Sequence, residues 1–302
     1  SALLQEKLPN QKGLWDMDKS VMVDQWEIME KGLNDMAIFL RNEGIIDHDR
    51  LPTNAVLAVI AALYPFIPDK GDKRGLYEVL LKKYLWSAFF TDRYENSAAT
   101  HAYYDYIALK RVITEVKKES GLAYTDGDVP IFNRNSHPIA SADELILAGW
   151  PKRDTIRGKA ILAVACRLGS FDFATGQRVD RTNISQRHYH HIFPDALLRE
   201  AEIESFLALN CALITDDTNL NIGRKDPLKY LKDRYQWVSE EIVNERLNSH
   251  LIPITELANG GYEDGISEIE RKEKIKTDFE EFVNKRASFF AYAAEQLTEG
   301  KN

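Results

Sequence analysis

Apolar residues recur at helical spacing through most of the first half of the chain. Between Asp18 and Asn42 they return every three or four positions, which predicts one helix with an apolar packing face. The residues before it are expected to be irregular, and turn-forming residues predict a loop over 121–138. Further helices are predicted over 53–64, 75–90, 98–118, 141–148 and 154–168.

The pattern changes after residue 170. Alternating residues predict strands over 171–174 and 186–191, paired as a ββ hairpin. Helical patterns follow over 201–208, from near Asn219, and over 226–235, 240–247 and 268–297. We therefore predict a mainly α fold with a small α+β module. Its predicted parts are a helical domain over 1–150, a second domain over 151–302 with its core at about 171–235, and closing helices over 236–302.

The charge of the chain is unevenly distributed. The formal net charge of −8 argues against a protein that is basic over its whole surface. The segment from Pro151 to Arg187 is nevertheless net positive by five charges, and the segment from Ser239 to the end is net negative by six. Contacts to phosphate are therefore expected in the first segment and between Arg224 and Arg234.

The cellular location is predicted from the absence of a disulfide pattern, a membrane-spanning segment and a signal peptide in the sequence. Cys166 and Cys211 give neither a disulfide framework nor zinc-ligand spacing. The longest apolar run, over 55–64, is too short to span a bilayer, and no N-terminal signal is visible. We expect a cytoplasmic protein without membrane contact, and the irregular start suggests the C-terminal piece of a longer protein.

Three histidines close together are the strongest chemical signal. His188, His190 and His191 fall in one predicted strand, so His188 and His190 share a face and His191 points to the other. Neighbouring imidazoles at a strand end can divide two tasks, one binding a divalent metal and the other taking a proton from water. The simpler alternative is a solvated histidine cluster beside the turn at Pro194.

Three ordered motifs carry a family resemblance. They are His-His-Ile-Phe-Pro at 190–194, Asn-x-Ala-Leu-Ile-Thr-x-x-Thr-Asn at 210–219 and Lys-x-Pro-x-x-Tyr-Leu at 225–231. Together they resemble the HNH (ββα-metal) nuclease domain at the C-terminus of GmrSD-type modification-dependent restriction endonucleases. The resemblance extends weakly into the helical region before residue 150. The N-terminal nucleotide-hydrolysis region of that family is missing here, so an NTPase or sensor domain or subunit is an expected partner.

The resemblance implies roles for individual residues. His191 would be the general base, and Asn210 would brace the active loop through backbone hydrogen bonds. His190 and Asn219 would hold a weakly bound Mg²⁺ or Mn²⁺ ion. Asn221 remains a rival to Asn219 as the metal ligand, because the usual basic residue after that asparagine is absent here.

The implied function is metal-dependent hydrolysis of double-stranded DNA, modified or unmodified, in defence against phage. The alternatives are a catalytically silent module that binds DNA or assembles with a partner, and a nuclease directed at RNA. His188 is either a third ligand or a phosphate contact, and the second is favoured. The candidates for binding the DNA backbone are Arg187, Arg224, Lys225 and Lys229, together with His188.

One other pair has metal-ligand spacing. His101 and Asp105 lie four residues apart on a predicted helix. With no third ligand nearby in the sequence, we interpret them as a surface pair.

Overall fold

The chain forms two compact units, each described here by itself. The computed structural model describes residues 2–115, 122, 124–152, 155–262 and 265–302. One unit contains Ser1–Glu43, Thr53–Ala140 and Ala294–Asn302, and the other contains Gly44–Pro52 and Ser141–Ala293. The described residues are mainly helical with a two-stranded antiparallel sheet, which confirms the predicted class at that level.

The first unit is helical. The predicted single helix over 18–42 is wrong in one respect, because Gln25 leaves the helical conformation and separates two helices. Asp18 begins the first of them by accepting hydrogen bonds from the N–H groups of Ser20 and Val21. The helices of this unit are α1 (Gln11–Trp15), α2 (Lys19–Asp24), α3 (Trp26–Asn42), α4 (Ala55–Leu63), α5 (Asp72–Phe90) and α6 (Ala98–Thr114).

The apolar face predicted between Asp18 and Asn42 is buried at one end only. Phe39 and Leu40 at the end of α3 are buried, whereas Trp26 and Leu33 are more than half exposed. The spacing of apolar residues thus predicted helical structure but not which part of the face is covered. Residues 116–118 of the predicted helix over 98–118, and Asp154 of the helix predicted over 154–168, lie outside the described residues.

The centre of the first unit is built on α5 and a buried ion pair. The side chains of Trp86 and Phe90 on α5 are fully buried and stacked at 6.2 Å between ring centroids. Asp105 is also fully buried, and it accepts hydrogen bonds from Arg93 and Tyr94. The interpretation of His101 and Asp105 as a surface pair is therefore wrong, because this carboxylate compensates a buried guanidinium.

The second unit surrounds the small sheet. Its apolar centre includes Leu162, Cys166, Val179, Ile184 and Leu213. Its helices and strands are α7 (Ala142–Ile146), α8 (Ile156–Leu168), β1 (Arg187–His191), α9 (Asp195–Glu200), β2 (Cys211–Thr215), α10 (Asp216–Ile222), α11 (Pro227–Tyr235), α12 (Glu240–Asn248), α13 (Ile254–Leu257) and α14 (Glu268–Thr298), of which residues 294–298 belong to the first unit.

The strand partner predicted for β1 is wrong. β1 pairs with β2 in an antiparallel register that sets His190 opposite Ala212 and His191 opposite Cys211. The predicted strand over 171–174 is a turn instead, in which the N–H of Asp172 bonds to Gln177 O and the N–H of Gly176 bonds to Asp172 O.

Two helix boundaries near the sheet also differ from the prediction. The helix predicted over 201–208 is absent, and the chain there runs from α9 to a short 3-10 helix over Ala208–Asn210. The helix expected to start near Asn219 begins earlier, at Asp216, because Thr215 caps it by accepting the N–H of Thr218. Among the helices of the described residues, none combines the length and the apolar composition needed to cross a membrane.

Candidate functional site

One face of β1 lies against helix α10. His190 Nδ1 is 2.7 Å from Asn219 Oδ1, and His188 Nε2 is 3.6 Å from Asp216 Oδ1. Asp216 and Asn219 lie three residues apart on α10 and thus one above the other on its surface. His188 and His190 therefore share a face, as the alternation of a strand requires. The structure thus joins His190 and Asn219, whose sequence positions are far apart.

The imidazole of His190 is buried and held in its neutral form. Burial lowers the pKa of His190 to about 4, while the hydrogen bond with Asn219 acts in the opposite direction. Because the amide oxygen of Asn219 can only accept, Nδ1 of His190 carries the proton in this arrangement. Its Nε2 is buried and has no hydrogen-bond partner among the described residues. Such a neutral ring can bind a metal ion through whichever nitrogen does not carry the proton.

His191 lies on the other face of the strand in an aromatic setting. Its ring stacks on Trp150 at 4.2 Å between centroids and meets the ring of Phe206 edge-on at 4.8 Å. Burial lowers the pKa of His191 below its ordinary value of 6.5. The ring is therefore neutral at pH 7, as a general base must be. Neither aromatic neighbour could be predicted from the sequence, since neither stands next to the histidines in the chain.

Asn210 fixes the turn that follows the histidines. Its Oδ1 accepts the N–H of Phe193 at 2.8 Å, and its Nδ2 donates to Phe193 O and Ser205 O at 3.0 Å each. The side chain is fully buried, so these backbone bonds satisfy its amide. The family resemblance implies a bracing role for Asn210, and contacts of this kind are what that role requires. They hold the chain directly after His191.

His190, His191 and Asn219 line one open cleft. It has a volume of about 690 Å³ and opens beside the end of β1. We call it the histidine cleft. Its lining residues are Tyr189, His190, His191, Pro194, Asp195, Ala196, Arg199, Glu200, Asn219, Gly223 and Arg224.

The predicted DNA-binding residues are placed unequally around the histidine cleft. Arg224 lines it and is exposed. Lys225 is half-buried and bonded to Asp233 at 2.6 Å, and Lys229 is exposed on α11. His188 is half exposed at the edge of β1.

The assignment of Arg187 to phosphate binding is wrong. Its side chain is fully buried, its guanidinium donates to Gln177 O, and its Nη1 lies 4.0 Å from Asp172 Oδ2. A guanidinium enclosed in this way cannot reach a polynucleotide without leaving its partners. Arg199 lines the histidine cleft instead, paired with Asp195 at 2.6 Å. Sequence analysis did not single out Arg199, because it looks like an ordinary surface cation.

Asp172 is a second buried group that sequence analysis missed. It accepts hydrogen bonds from the backbone and hydroxyl of Thr215, from the hydroxyl of Thr218, and from the backbone and hydroxyl of Thr175. Burial alone would raise the pKa of Asp172, but these hydrogen bonds outweigh burial and hold it at about 2. The signal that could have revealed it is the Asp-x-x-Thr-Gly turn pattern at 172–176.

The donors at the histidine cleft suit a divalent cation. Nδ1 of His190 donates to Oδ1 of Asn219 at 2.7 Å, so a cation held by both atoms would replace that proton, and the ring proton would move to Nε2. In the part of the chain that the structure describes, no three His, Cys, Asp or Glu side chains are grouped to hold a metal ion. A cation here would therefore depend on the imidazole and the amide together.

Asn219 and Asn221 differ clearly in position. Asn219 contacts His190 and lines the histidine cleft, whereas Asn221 is exposed and is not part of the described lining. The geometry therefore favours Asn219 over its rival.

Comparisons with known proteins add no relative. No family model, no curated protein and no solved structure matches this chain.

Proposed function

We propose that this chain is a metal-dependent endonuclease that hydrolyses phosphodiester bonds in double-stranded DNA. The observation that carries the proposal is the His190–Asn219 contact beside a neutral, half-buried His191 at the wall of one open cleft. The motifs at 190–194, 210–219 and 225–231 support the same assignment through their resemblance to HNH nucleases. By that resemblance, the biological role is restriction of phage DNA.

His191 is the general base of the proposed reaction. It takes a proton from a water molecule, which then attacks the phosphorus atom. The bond from phosphorus to the 3′ oxygen breaks, and that oxygen leaves and takes up a proton from solvent. The stacked Trp150 and the edge of Phe206 hold the imidazole ring in place. Asn210 keeps the turn after His191 fixed through its bonds to Phe193 and Ser205, so the base does not move away from the strand end.

His190 and Asn219 would hold the proposed Mg²⁺ or Mn²⁺ ion. When bound, such a cation neutralises the charge that develops on the phosphate oxygens during the attack. Both donors are neutral at pH 7, since burial keeps the pKa of His190 at about 4. Two neutral donors imply weak binding of the ion. Because the protein would supply only two donors, phosphate and water oxygens would have room around the ion.

Side chains at and near the histidine cleft bind the DNA backbone. Arg224 lines the cleft, and His188, Lys225 and Lys229 belong to the neighbouring β1, the segment after α10, and α11. Contacts of this kind position the duplex without reading its sequence. Arg187 is excluded from this set because its side chain is buried.

A cleavage assay tests the proposal. The purified chain is mixed with supercoiled plasmid and with double- and single-stranded RNA, each with Mg²⁺, Mn²⁺ or EDTA. We expect metal-dependent cleavage of the plasmid, and a loss of about 10²- to 10⁴-fold in His191→Ala with an unchanged circular dichroism spectrum. His48→Ala, outside the histidine cleft, serves as the control and should cleave normally.

Two outcomes would replace the proposal. Binding of DNA without cleavage at any metal concentration would indicate a silent DNA-binding module. Cleavage of RNA but not of plasmid would indicate an RNA-directed nuclease. A His191→Ala variant that cleaves at the normal rate would show that the base is misassigned.

A further inference from the structure

The carboxylate of Asp172 joins two segments that the sheet does not connect. On one side it accepts the backbone N–H groups of Ala174 and Thr175 and the hydroxyl of Thr175, all at Oδ1. On the other side it accepts the N–H and hydroxyl of Thr215 at Oδ2 and the hydroxyl of Thr218 at Oδ1. Asp172 is fully buried and is not part of the described lining of the histidine cleft.

The second group of bonds fixes how α10 is placed. Thr215 caps the helix, so its two bonds to Asp172 set the point where α10 begins. Thr218 lies one turn further on, and its bond sets the rotation of the helix about its axis. Asn219 is the next residue, about 100° around the same axis, because an α-helix has about 3.6 residues per turn. The direction of the Asn219 side chain therefore depends on the bond at Thr218.

We propose that Asp172 is the positioning residue of the site, and that it sets the place and rotation of α10 so that Asn219 Oδ1 meets His190 Nδ1. Its effect on cation binding and cleavage rests on the proposed nuclease function. Its effect on the His190–Asn219 contact does not. Asp172 acts through the helix, since its carboxylate contacts Thr215 and Thr218 rather than Asn219.

The donors around Asp172 require a carboxylate. Ala174, Thr175 and Thr215 each offer a backbone N–H, so an amide group at position 172 would place its own N–H₂ against donors. An apolar residue would leave the N–H of Thr215 unpaired in a buried place. The guanidinium of Arg187, 4.0 Å away, compensates the buried negative charge.

Two threonine hydroxyls provide a matched pair of variants. Those of Thr175 and Thr218 both donate to Asp172 Oδ1, at 3.1 and 2.8 Å. Thr218→Val removes the bond on the helix side, and Thr175→Val removes the bond on the loop side. Thr218→Ser keeps the hydroxyl on the helix. Asp172→Asn tests the carboxylate directly.

The variants are compared by three measurements. The ¹⁵N chemical shifts of the His190 ring in the metal-free protein report whether Nδ1 carries the proton. Electron paramagnetic resonance reports Mn²⁺ affinity, and plasmid cleavage gives kcat and KM. Val243→Ala, at a buried position on α12, controls for loss of stability without a change at α10.

We expect Asp172→Asn and Thr218→Val to lose the single Nδ1-protonated form of His190. Their Mn²⁺ dissociation constant should rise about 10- to 100-fold, and kcat should fall while KM for plasmid stays nearly constant. Thr218→Ser, Thr175→Val and Val243→Ala should remain within about twofold of the wild type, because each keeps a hydroxyl at position 218 that bonds to Asp172.

Two results would overturn the inference. One is an unchanged His190 spectrum and Mn²⁺ affinity in Asp172→Asn and Thr218→Val. The other is equal effects of Thr175→Val and Thr218→Val, which would mean that Asp172 only stabilises the fold. If the wild type neither binds Mn²⁺ nor cleaves DNA, the proposed function fails, and the His190 spectra alone then decide the positioning role.

Discussion

Adjacent histidines on one strand receive different environments because their side chains point in opposite directions. His190 faces α10 and bonds to an amide, whereas His191 faces Trp150 and Phe206. Burial keeps both rings neutral, but only His190 has a polar partner that fixes which nitrogen carries the proton. This difference supports the proposed division between a ligand and a base.

At the scale of single residues, Asn219 should matter more than Asn221. We expect Asn219→Ala to weaken Mn²⁺ binding about 10-fold or more, because the amide oxygen beside His190 is lost. Asn219→Asp should bind Mn²⁺ more tightly than the wild type, because a carboxylate is a stronger ligand. Asn221→Ala is the matched control on the same helix. Equal losses in the two alanine variants, measured by Mn²⁺ titration, would reject Asn219 as a ligand.

Asp172 should make the stability of the protein sensitive to acid. Its pKa is about 2 in the folded chain against an ordinary value of 3.8, so its charge stabilises the fold above about pH 4. That contribution, about 2 kcal/mol, is lost as the pH falls from about 4 through 2. The measurement is urea unfolding at pH 7 and at pH 2, with the exposed Asp49→Asn as control.

The expected result for Asp172 is a stability difference between wild type and Asp172→Asn that depends on pH. The free energy of unfolding of the wild type should exceed that of Asp172→Asn by more at pH 7 than at pH 2. Asp49→Asn, at an exposed position, should change the free energy of unfolding by less than about 0.5 kcal/mol. A gap between wild type and Asp172→Asn that is independent of pH would contradict the depressed pKa.

At the scale of elements, one strand could be predicted well and its partner could not. The sequence of β1 indicates its bounds and its two faces, because alternation depends only on local geometry. Its pairing with β2 depends on contacts between distant segments. The alternating residues over 171–174 suggested a strand, but Asp172 turns its carboxylate inward and bonds to Thr215 and Thr218.

The same limit applies to the candidate site. His190, His191, Asn210 and Asn219 could be singled out because they stand in recognisable motifs. The aromatic neighbours of His191 could not, since each comes from a part of the chain without a motif. The turn pattern at 172–176 marks Asp172, but it does not reveal the bonds of Asp172 to Thr215 and Thr218. Arg187 was misassigned because sequence reveals its charge but not its burial.

Helix α14 should be anchored to the sheet through Arg286. This guanidinium is almost fully buried and donates to the carbonyl oxygens of Leu209, Cys211, His250 and Leu251. Arg286→Met keeps much of the side-chain volume but leaves those buried carbonyls unpaired. We expect a loss of at least about 3 kcal/mol in the free energy of unfolding.

Chemical denaturation of Arg286→Met checks this anchoring role. The control is Lys285→Met, the exposed neighbour on the same helix, which should change stability by less than about 0.5 kcal/mol. Similar stabilities of the two variants would mean that the carbonyl contacts contribute little. A large loss of stability would show that the contacts of Arg286 on α14 stabilise the start of β2, next to Asn210.

At the scale of the whole molecule, a net charge of −8 opposes binding to DNA. An acidic protein can still bind a duplex when a few cations are concentrated at one place, because the contribution of each phosphate contact is local. Arg224 and Arg199 line the histidine cleft, while the segment after residue 239 carries a net charge of −6. Binding should therefore be weak at physiological salt and should depend strongly on its concentration.

The salt dependence of DNA binding tests whether Arg224 at the histidine cleft contacts a phosphate. Fluorescence anisotropy with His191→Ala as the background measures binding without cleavage. Adding Arg224→Ala should lower the slope of log K against log salt by about 1, because one phosphate contact is lost. Arg111→Ala removes an exposed cation of α6 in the other unit, bonded to Glu115, and should leave the slope unchanged. If Arg224→Ala changed the slope of log K against log salt no more than Arg111→Ala does, the DNA would bind away from the histidine cleft. The proposed nuclease site could then not be in that cleft.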